Sequence, residues 1–171
     1  SGPGARTTGS PATGKNVITA GGSQNVRPGV GDATDAGAMY ASSSRGPTAD
    51  DRIKPDLIAP ATNIAGGVVM ADRLTAAPGN HNTSQPTTPA HRFYRTGNGT
   101  SFSSPAIAGG ASLVRQLFAK RAAPFFNAAP SPAMTRGYLM NSTTYMERLT
   151  DNLPSANQGM GRMNLERALD T

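Results

Sequence analysis

The chain has 171 residues, a length that suits one domain of ordinary size. Its 20 glycines and 14 prolines predict many turns and loops, and the absence of cysteine excludes disulfides. The net charge of +6 comes from scattered basic residues without interleaved aromatics, which argues against nucleic-acid binding. No stretch approaches the roughly 20 apolar residues of a membrane helix, so we expect no membrane association.

The first half of the chain predicts short strands separated by loops. Residues 16–22 form a β-branched run bounded by glycine, which is typical of a buried strand. Residues 38–43 and 56–59 are predicted to be further strands. Residues 23–37 are rich in Gly, Asp and Pro, and residues 62–96 are polar and irregular, so both segments are predicted loops.

A helix is predicted directly after residue 101. Its apolar stripe follows helical spacing at Ile107, Ala111, Val114 and Phe118. Its first half is small or apolar on every side, so we expect burial all round, with Pro105 in the first turn. The pair at residues 109–110 weakens a helix by about 1 kcal/mol per glycine, which indicates a backbone passing close by.

Two further helices are predicted from their caps. Ser131 followed by Pro132 is a typical helix start, and Asn164 precedes a short closing helix.

The segment that carries chemical information is residues 98–110, which read NGTSFSSPAIAGG. It places Ser101 where a small-residue loop enters a helix, and the sequence there closely resembles the active-serine motif of the subtilisin-like serine peptidases. Three other stretches resemble the same family in the same order: GSPAT at residues 9–13, ASSSRGPT with RIKPDLIAP within residues 41–60, and GMGRMN at residues 159–164. These matches cover most of the chain outside two segments.

The resemblance implies an α/β fold in which residues 1–171 form the C-terminal half of a parallel-sheet, three-layer α/β/α catalytic domain. The loops at about 23–37 and 62–96 are then insertions. The family usually has glycine after the proline that stands here as Pro60, but this chain has Ala61. If the backbone there needs a positive φ, either Ala61 is strained or the turn differs from that of the family.

The same resemblance implies a serine endopeptidase that forms an acyl-enzyme on Ser101. The active-site loop is then Asn98, Gly99, Thr100 and Ser101, with the backbone N–H of Ser101 as an oxyanion donor at a helix N-terminus. Asn98 either supports the oxyanion or forms the turn into the helix.

Substrate contacts are implied at Gly9, Ser10 and Pro11. Gly9 would leave room for a large apolar side chain in the specificity pocket, or would simply permit a turn. The Ser10–Pro11 peptide bond is expected to be cis.

A serine hydroxyl is a weak nucleophile without a base and a group that orients the base. His81 and His91 lack the family's histidine context and are interpreted as loop residues, and no aspartate lies in a first-strand motif. We therefore expect the aspartate, the histidine and the oxyanion asparagine to come from the N-terminal half of the same peptidase as a separate chain, which would also complete the core.

The family resemblance also implies peptide or protein substrates and a secreted or extracytoplasmic location. The chemistry requires no cofactor. Structural calcium is compatible with the family, and Asp50, Asp51 and Asp56 are oxygen donors close in sequence but without the spacing of a recognised loop.

Two other functions stay open. The chain could be a non-catalytic, subtilisin-like scaffold or binding module whose serine never meets a base. It could also be a different hydrolase with a local base such as His91.

Overall fold

The computed structural model describes residues 2–26, 35–67, 94–120 and 129–170. Strand β1 (Ala20–Ser23) pairs in parallel with β2 (Leu57–Pro60), with Ala20 opposite Leu57 and Ser23 opposite Pro60. The first three side chains of β2 are fully buried, as expected for a parallel strand covered on both faces. The strand predicted at 56–59 is therefore confirmed to within one residue, and only the end of the 16–22 prediction is a strand.

The strand predicted at residues 38–43 is wrong. Met39 makes a single antiparallel bridge with Ser23, and the N–H of Tyr40 donates to the Gly22 carbonyl at 2.9 Å. The chain then turns, because the N–H of Ser43 donates to the Tyr40 carbonyl at 2.9 Å. The Ser43 hydroxyl accepts the Gly22 N–H, so a side chain occupies the position that a strand backbone would otherwise take.

Both ends of the predicted 62–96 loop form short β-strands, which the sequence did not predict. Strand β3 (Ile64–Gly67) pairs antiparallel with β4 (Tyr94–Gly97), with Ile64 opposite Gly97. The ends of this segment attach to neighbouring parts of the domain, so they run side by side and satisfy each other's backbone groups. His81 and His91 lie outside the described residues.

The turn after Pro60 avoids the strain predicted for Ala61. Among the described residues, positive φ values at non-glycine positions occur at Arg6, Asp51 and Asn63, not at Ala61. Asn63 has a φ of 51°, a conformation that asparagine tolerates better than most residues. Of the two alternatives for Ala61, the unstrained one therefore holds, and the positive φ of this turn lies at Asn63.

Helix α1 (Thr100–Lys120) packs against both strands of the parallel pair and carries the core. Ile107, Val114 and Phe118 are buried together with Leu57 and Leu139, and the Phe118 and Tyr138 rings meet edge to face at 5.3 Å. Helix α2 (Pro132–Asn141) and helix α3 (Leu165–Leu169) also contact α1.

The predicted helix caps are confirmed. The Ser131 hydroxyl accepts the Met134 N–H at 3.1 Å, and the Asn164 side chain accepts the Arg167 N–H at 3.0 Å. None of the helices within the described ranges is long and apolar enough to cross a membrane.

Three expectations for α1 are wrong. Its first half is not buried all round, because Ala106, Ala108 and Gly109 are exposed. Pro105 is the sixth helical residue, not a first-turn residue. The neighbour of Gly110 is not a backbone but the side chain of Met163, whose sulfur would lie 2.6 Å from an added Cβ. One face of α1 therefore rests on the sheet and α3, and the described parts of the chain leave the opposite face open.

Candidate active site

Ser101 is the second residue of α1, and its side chain is exposed. The loop before it depends on Gly99, whose φ of 145° disfavours any residue with a Cβ. The Gly99 N–H donates to the Ala61 carbonyl at 2.7 Å, and the Gly99 carbonyl accepts the Phe102 N–H at 3.0 Å. The start of the helix is thereby fixed to the end of the parallel sheet.

Ser103 is an anchor that sequence reasoning missed. It is fully buried, and its hydroxyl lies 3.0 Å from the Ala59 carbonyl and 3.1 Å from the Pro60 carbonyl. It lies four residues before Ile107, so the helical stripe could have been extended back to it. This hydroxyl fixes the first turn of α1 to β2 from within the core.

Asn98 forms the turn. Its side-chain oxygen accepts the backbone N–H of Asn63 at 2.7 Å, which closes the base of the β3–β4 pair. Gly97 has no room for a Cβ, because the Phe102 ring would lie 2.6 Å away. Asn98 therefore takes part in the turn before the helix, and this contact, which uses only its side-chain oxygen, does not test the other interpretation, that Asn98 supports the oxyanion.

The two groups of Ser101 to which the sequence gives catalytic roles, its hydroxyl and its backbone N–H, are both without a partner in the described part of the chain. Within the described ranges, no group hydrogen-bonds the Ser101 hydroxyl or accepts its backbone N–H. That N–H lies at a helix N-terminus, where the aligned peptide dipoles favour a developing negative charge. The described residues include no imidazole, because both histidines lie outside them.

A cavity of about 540 Å³ adjoins Ser101. One side is formed by the first turns of α1, including Thr100, Ser101 and Pro105. The other side is formed by residues 11–12 and 17–20. The wall is mainly apolar, so the cavity suits an apolar side chain better than a charged one.

The three residues implied in substrate contact divide into two groups. Pro11 lines the cavity, and the Ser10–Pro11 bond is cis as predicted. Gly9 and Ser10 are exposed and are not part of the cavity wall. A Cβ added at Gly9 would meet nothing within 4 Å, so steric exclusion does not require glycine there.

The three carboxylates considered for calcium do not form a shared site. Arg52, together with the Thr48 hydroxyl, holds the pKa of the Asp50 carboxyl well below its usual range. Asp51 pairs with Arg6 at 2.5 Å, and Asp56 pairs with Lys54 at 2.6 Å.

Across the described residues, no three acidic, histidine or cysteine side chains are grouped as metal ligands. These three carboxylates therefore do not fit a calcium ion, and calcium binding stays a prediction without a site.

A sequence model of the subtilase family, Peptidase_S8, matches residues 1–161. The chain belongs to the subtilase family. Its fold is similar to that of the CspB protease of Clostridium perfringens, with 22% identity over 97% of this chain and a TM-score of 0.67. The patellamide maturation protease PatA covers 93% of the chain at 22% identity, with a TM-score of 0.56. Fervidolysin from Fervidobacterium pennivorans, described as a keratinolytic enzyme related to subtilisin, covers 95% at 21% identity, with a TM-score of 0.58.

These likenesses confirm the predicted subtilisin-like α/β fold. The chain spans only 29% of the CspB protease, 44% of PatA and 20% of fervidolysin. Each of these proteins therefore contains a large part with no counterpart in this chain.

Proposed function

We propose that this chain supplies the nucleophile of a serine endopeptidase. The observation that carries the proposal is the position of Ser101, exposed at the N-terminus of a helix that Ser103 fixes to the sheet, beside a cavity. In the proposed reaction, the Ser101 oxygen attacks the peptide carbonyl while its proton passes to a histidine. The amine fragment leaves with that proton, and water then hydrolyses the acyl-enzyme.

The proposed partner is the N-terminal half of the same peptidase, which would supply the histidine, the aspartate and the oxyanion asparagine. Gly22 directs its N–H and C=O away from β2, to Ser43 and Tyr40. Ala20, two residues earlier on the same edge, has no such partner in the described part of the chain. This open edge and the open, small-residue face of α1 favour a further strand and packed layer there.

The proposed substrate is a peptide whose side chain next to the cleaved bond enters the cavity beside Ser101. Pro11, Ala12, Val17 and Ile18 line this cavity, which favours a large apolar side chain. The chemistry needs no cofactor. A secreted or extracytoplasmic location is proposed from the family alone.

The test is covalent labelling by a fluorophosphonate probe, with the N-terminal half present. The wild-type chain should be labelled, and Ser101→Ala should lose labelling by at least about a thousandfold. Ser112→Ala is the matched control, because Ser112 is an exposed serine on the same helix, and it should be labelled normally. Labelling of Ser101→Ala at the wild-type rate would place the nucleophile elsewhere.

The alternative is a non-catalytic subtilisin-like scaffold or binding module. It is favoured by the absence of a base near Ser101 among the described residues. A wild-type chain that binds the N-terminal half but refuses the probe would support this alternative.

The local-base hydrolase makes a different prediction. His91→Ala would abolish labelling if His91 were the base, and would leave it unchanged under the main proposal.

A further inference from the structure

We infer that Thr19 is a positioning residue that sets the substrate side-chain preference of the cavity beside Ser101. The inference rests on the proposed peptidase function. Thr19 is one of the residues that line the cavity, and its hydroxyl also holds Ala12, another lining residue, in position. The sequence alone predicts Thr19 only as part of the buried strand at residues 16–22.

All polar groups of Thr19 are engaged. Its hydroxyl donates to the Ala12 carbonyl at 2.5 Å, and its N–H donates to the Asp56 carboxylate at 2.7 Å. Its carbonyl accepts the backbone N–H of Asp56 at 2.9 Å. Thr19 is only 6% exposed, so these bonds lie largely out of water. The residue therefore joins the cavity wall to the chain that leads into β2.

The residues that hold Thr19 in place include a buried ion pair, between Lys54 and Asp56. Lys54 and Asp56 side chains are each 2% exposed and lie 2.6 Å apart, and Arg136 contacts the other Asp56 oxygen. Lys54 also donates to the Val17 carbonyl at 3.0 Å. Because separating such a pair leaves an uncompensated buried charge, the segment at residues 17–19 is held firmly in place.

The loop that Thr19 holds has three consecutive carbonyls with different donors. The Pro11 carbonyl accepts the Gly14 N–H at 3.0 Å, which closes a local turn. The Thr13 carbonyl accepts from Arg52, a partly exposed side chain, at 2.8 Å. Of these three carbonyls, only that of Ala12 is held by a buried side chain of the 17–20 segment, which lines the same side of the cavity.

Removing the Thr19 hydroxyl would free the Ala12 carbonyl to turn toward another donor and would change the width of the cavity. Pockets discriminate between side chains by the fit of single carbon groups, so a small movement of the wall alters preference. Removal of the Thr19 hydroxyl should leave the position of Ser101 unchanged, because Gly99 and Ser103 hold the start of the helix independently. The expected effect is therefore on substrate binding and not on the chemical step.

The experiment measures kcat and KM for paired peptides with phenylalanine or alanine before the cleaved bond, using the chain assembled with its N-terminal half. Thr19→Val, which has nearly the same shape without the hydroxyl, should reduce the preference for phenylalanine about 5- to 10-fold, mainly through KM. Thr19→Ser, which keeps the hydroxyl but loses the methyl group, should restore the wild-type preference. Thr19→Ala serves as a second hydroxyl deletion, and urea unfolding checks that each variant is folded.

Thr143→Val is the matched control. The Thr143 hydroxyl also donates to a backbone carbonyl, that of Met160, at 2.5 Å, but Thr143 does not line the cavity. It should leave the preference unchanged. The inference would be overturned if Thr19→Val kept the wild-type preference for phenylalanine. It would also be overturned if Thr19→Ser lost as much of that preference as Thr19→Val. Neither result would affect the proposed function. A wild-type protein that does not react with the fluorophosphonate would overturn the proposed function and this inference with it.

Discussion

Asp151 shows how one carboxylate organises a loop far from the serine. Asn157 and Gln158 donate to its two oxygens, each at 3.0 Å. Gln158 is fully buried, and its own side-chain oxygen accepts the backbone N–H of Met146 at 3.0 Å. Asp151 is thereby connected through Gln158 to the small core cluster that contains Met146.

These hydrogen bonds predict an acid-sensitive contribution to stability. Burial acts to raise the pKa of Asp151, but the hydrogen bonds from Ser155, Asn157 and Gln158 outweigh it, so the pKa is lowered from 3.8. A group whose pKa is lower in the folded state stabilises the fold above its unfolded pKa. That stabilisation is lost as the pH falls through the folded pKa.

We therefore expect Asp151→Asn to unfold more easily at neutral pH by about 1 kcal/mol and to lose less stability on acidification. Urea midpoints between about pH 6 and about pH 3 measure both effects. Glu147→Gln, at an exposed carboxyl, is the control for loss of one negative charge. Parallel stability profiles of wild type and Asp151→Asn across this range would contradict the prediction.

Single residues also show what sequence could reveal about the site. Ser101 was identifiable because its motif is local and continuous along the chain. The contacts of Thr19 were not, since its partners Ala12 and Asp56 are brought together only by folding. The contact of Asn98 with Asn63 was not predictable either, because the two residues are 35 positions apart in the chain.

At the scale of elements, the helix α1 was predictable because its apolar residues follow a helical period, and the strand β2 because its apolar residues are consecutive and end at a proline. The strand prediction for residues 38–43 was wrong because their composition suits a strand, whereas in the structure the Ser43 hydroxyl accepts the Gly22 N–H that a strand backbone would otherwise pair with. Strands β3 and β4 were hidden because each consists of four residues whose partner lies across a long segment. Pairing of this kind leaves little periodic signal in either strand.

Gly159 packs directly against the backbone of Pro55 and Asp56, just before β2, so we expect its substitution to be severely destabilising. Its φ is 59°, and an added Cβ would lie 2.2 Å from the Pro55 carbonyl oxygen and 2.5 Å from that of Asp56. Neither backbone oxygen can move without disturbing the entry into β2. Gly159→Ala should therefore lower the free energy of unfolding by about 3 kcal/mol.

Gly137 is the matched control, because it lies within α2 and an added Cβ would meet nothing within 4 Å. Gly137→Ala should raise the free energy of unfolding by about 1 kcal/mol through helix propensity. Urea unfolding of both variants tests the pair. Equal effects in the two variants would show that the close approach at Gly159 does not determine stability.

At the scale of the whole molecule, helix α1 has one face that the described parts of the chain leave uncovered. The helix buries Ile107, Val114 and Phe118 on the sheet side, whereas Ala108 and Gly109 face outward. Small residues on a helix allow another backbone to approach closely, but the described parts of the chain place nothing there. The proposed N-terminal half would cover this face.

Substitution of Gly109 should have opposite effects on the stability of the chain and on its binding to the N-terminal half. An added Cβ at Gly109 meets nothing within 4 Å, so Gly109→Ala should raise the free energy of unfolding of the chain alone by about 1 kcal/mol. In the proposed assembly the same methyl group would enter a packed interface. Overpacking there should weaken binding of the N-terminal half about tenfold.

The two effects have opposite signs and are measured separately, by urea unfolding of the chain and by titration with the N-terminal half. Gly137→Ala should show the gain in stability without the loss in affinity, because it lies on another helix. If Gly109→Ala bound the N-terminal half as tightly as wild type, the open face of α1 would not be the surface that this half covers. A loss of affinity confined to Gly109→Ala would instead identify this face as the assembly surface, because both substitutions act equally on helix propensity.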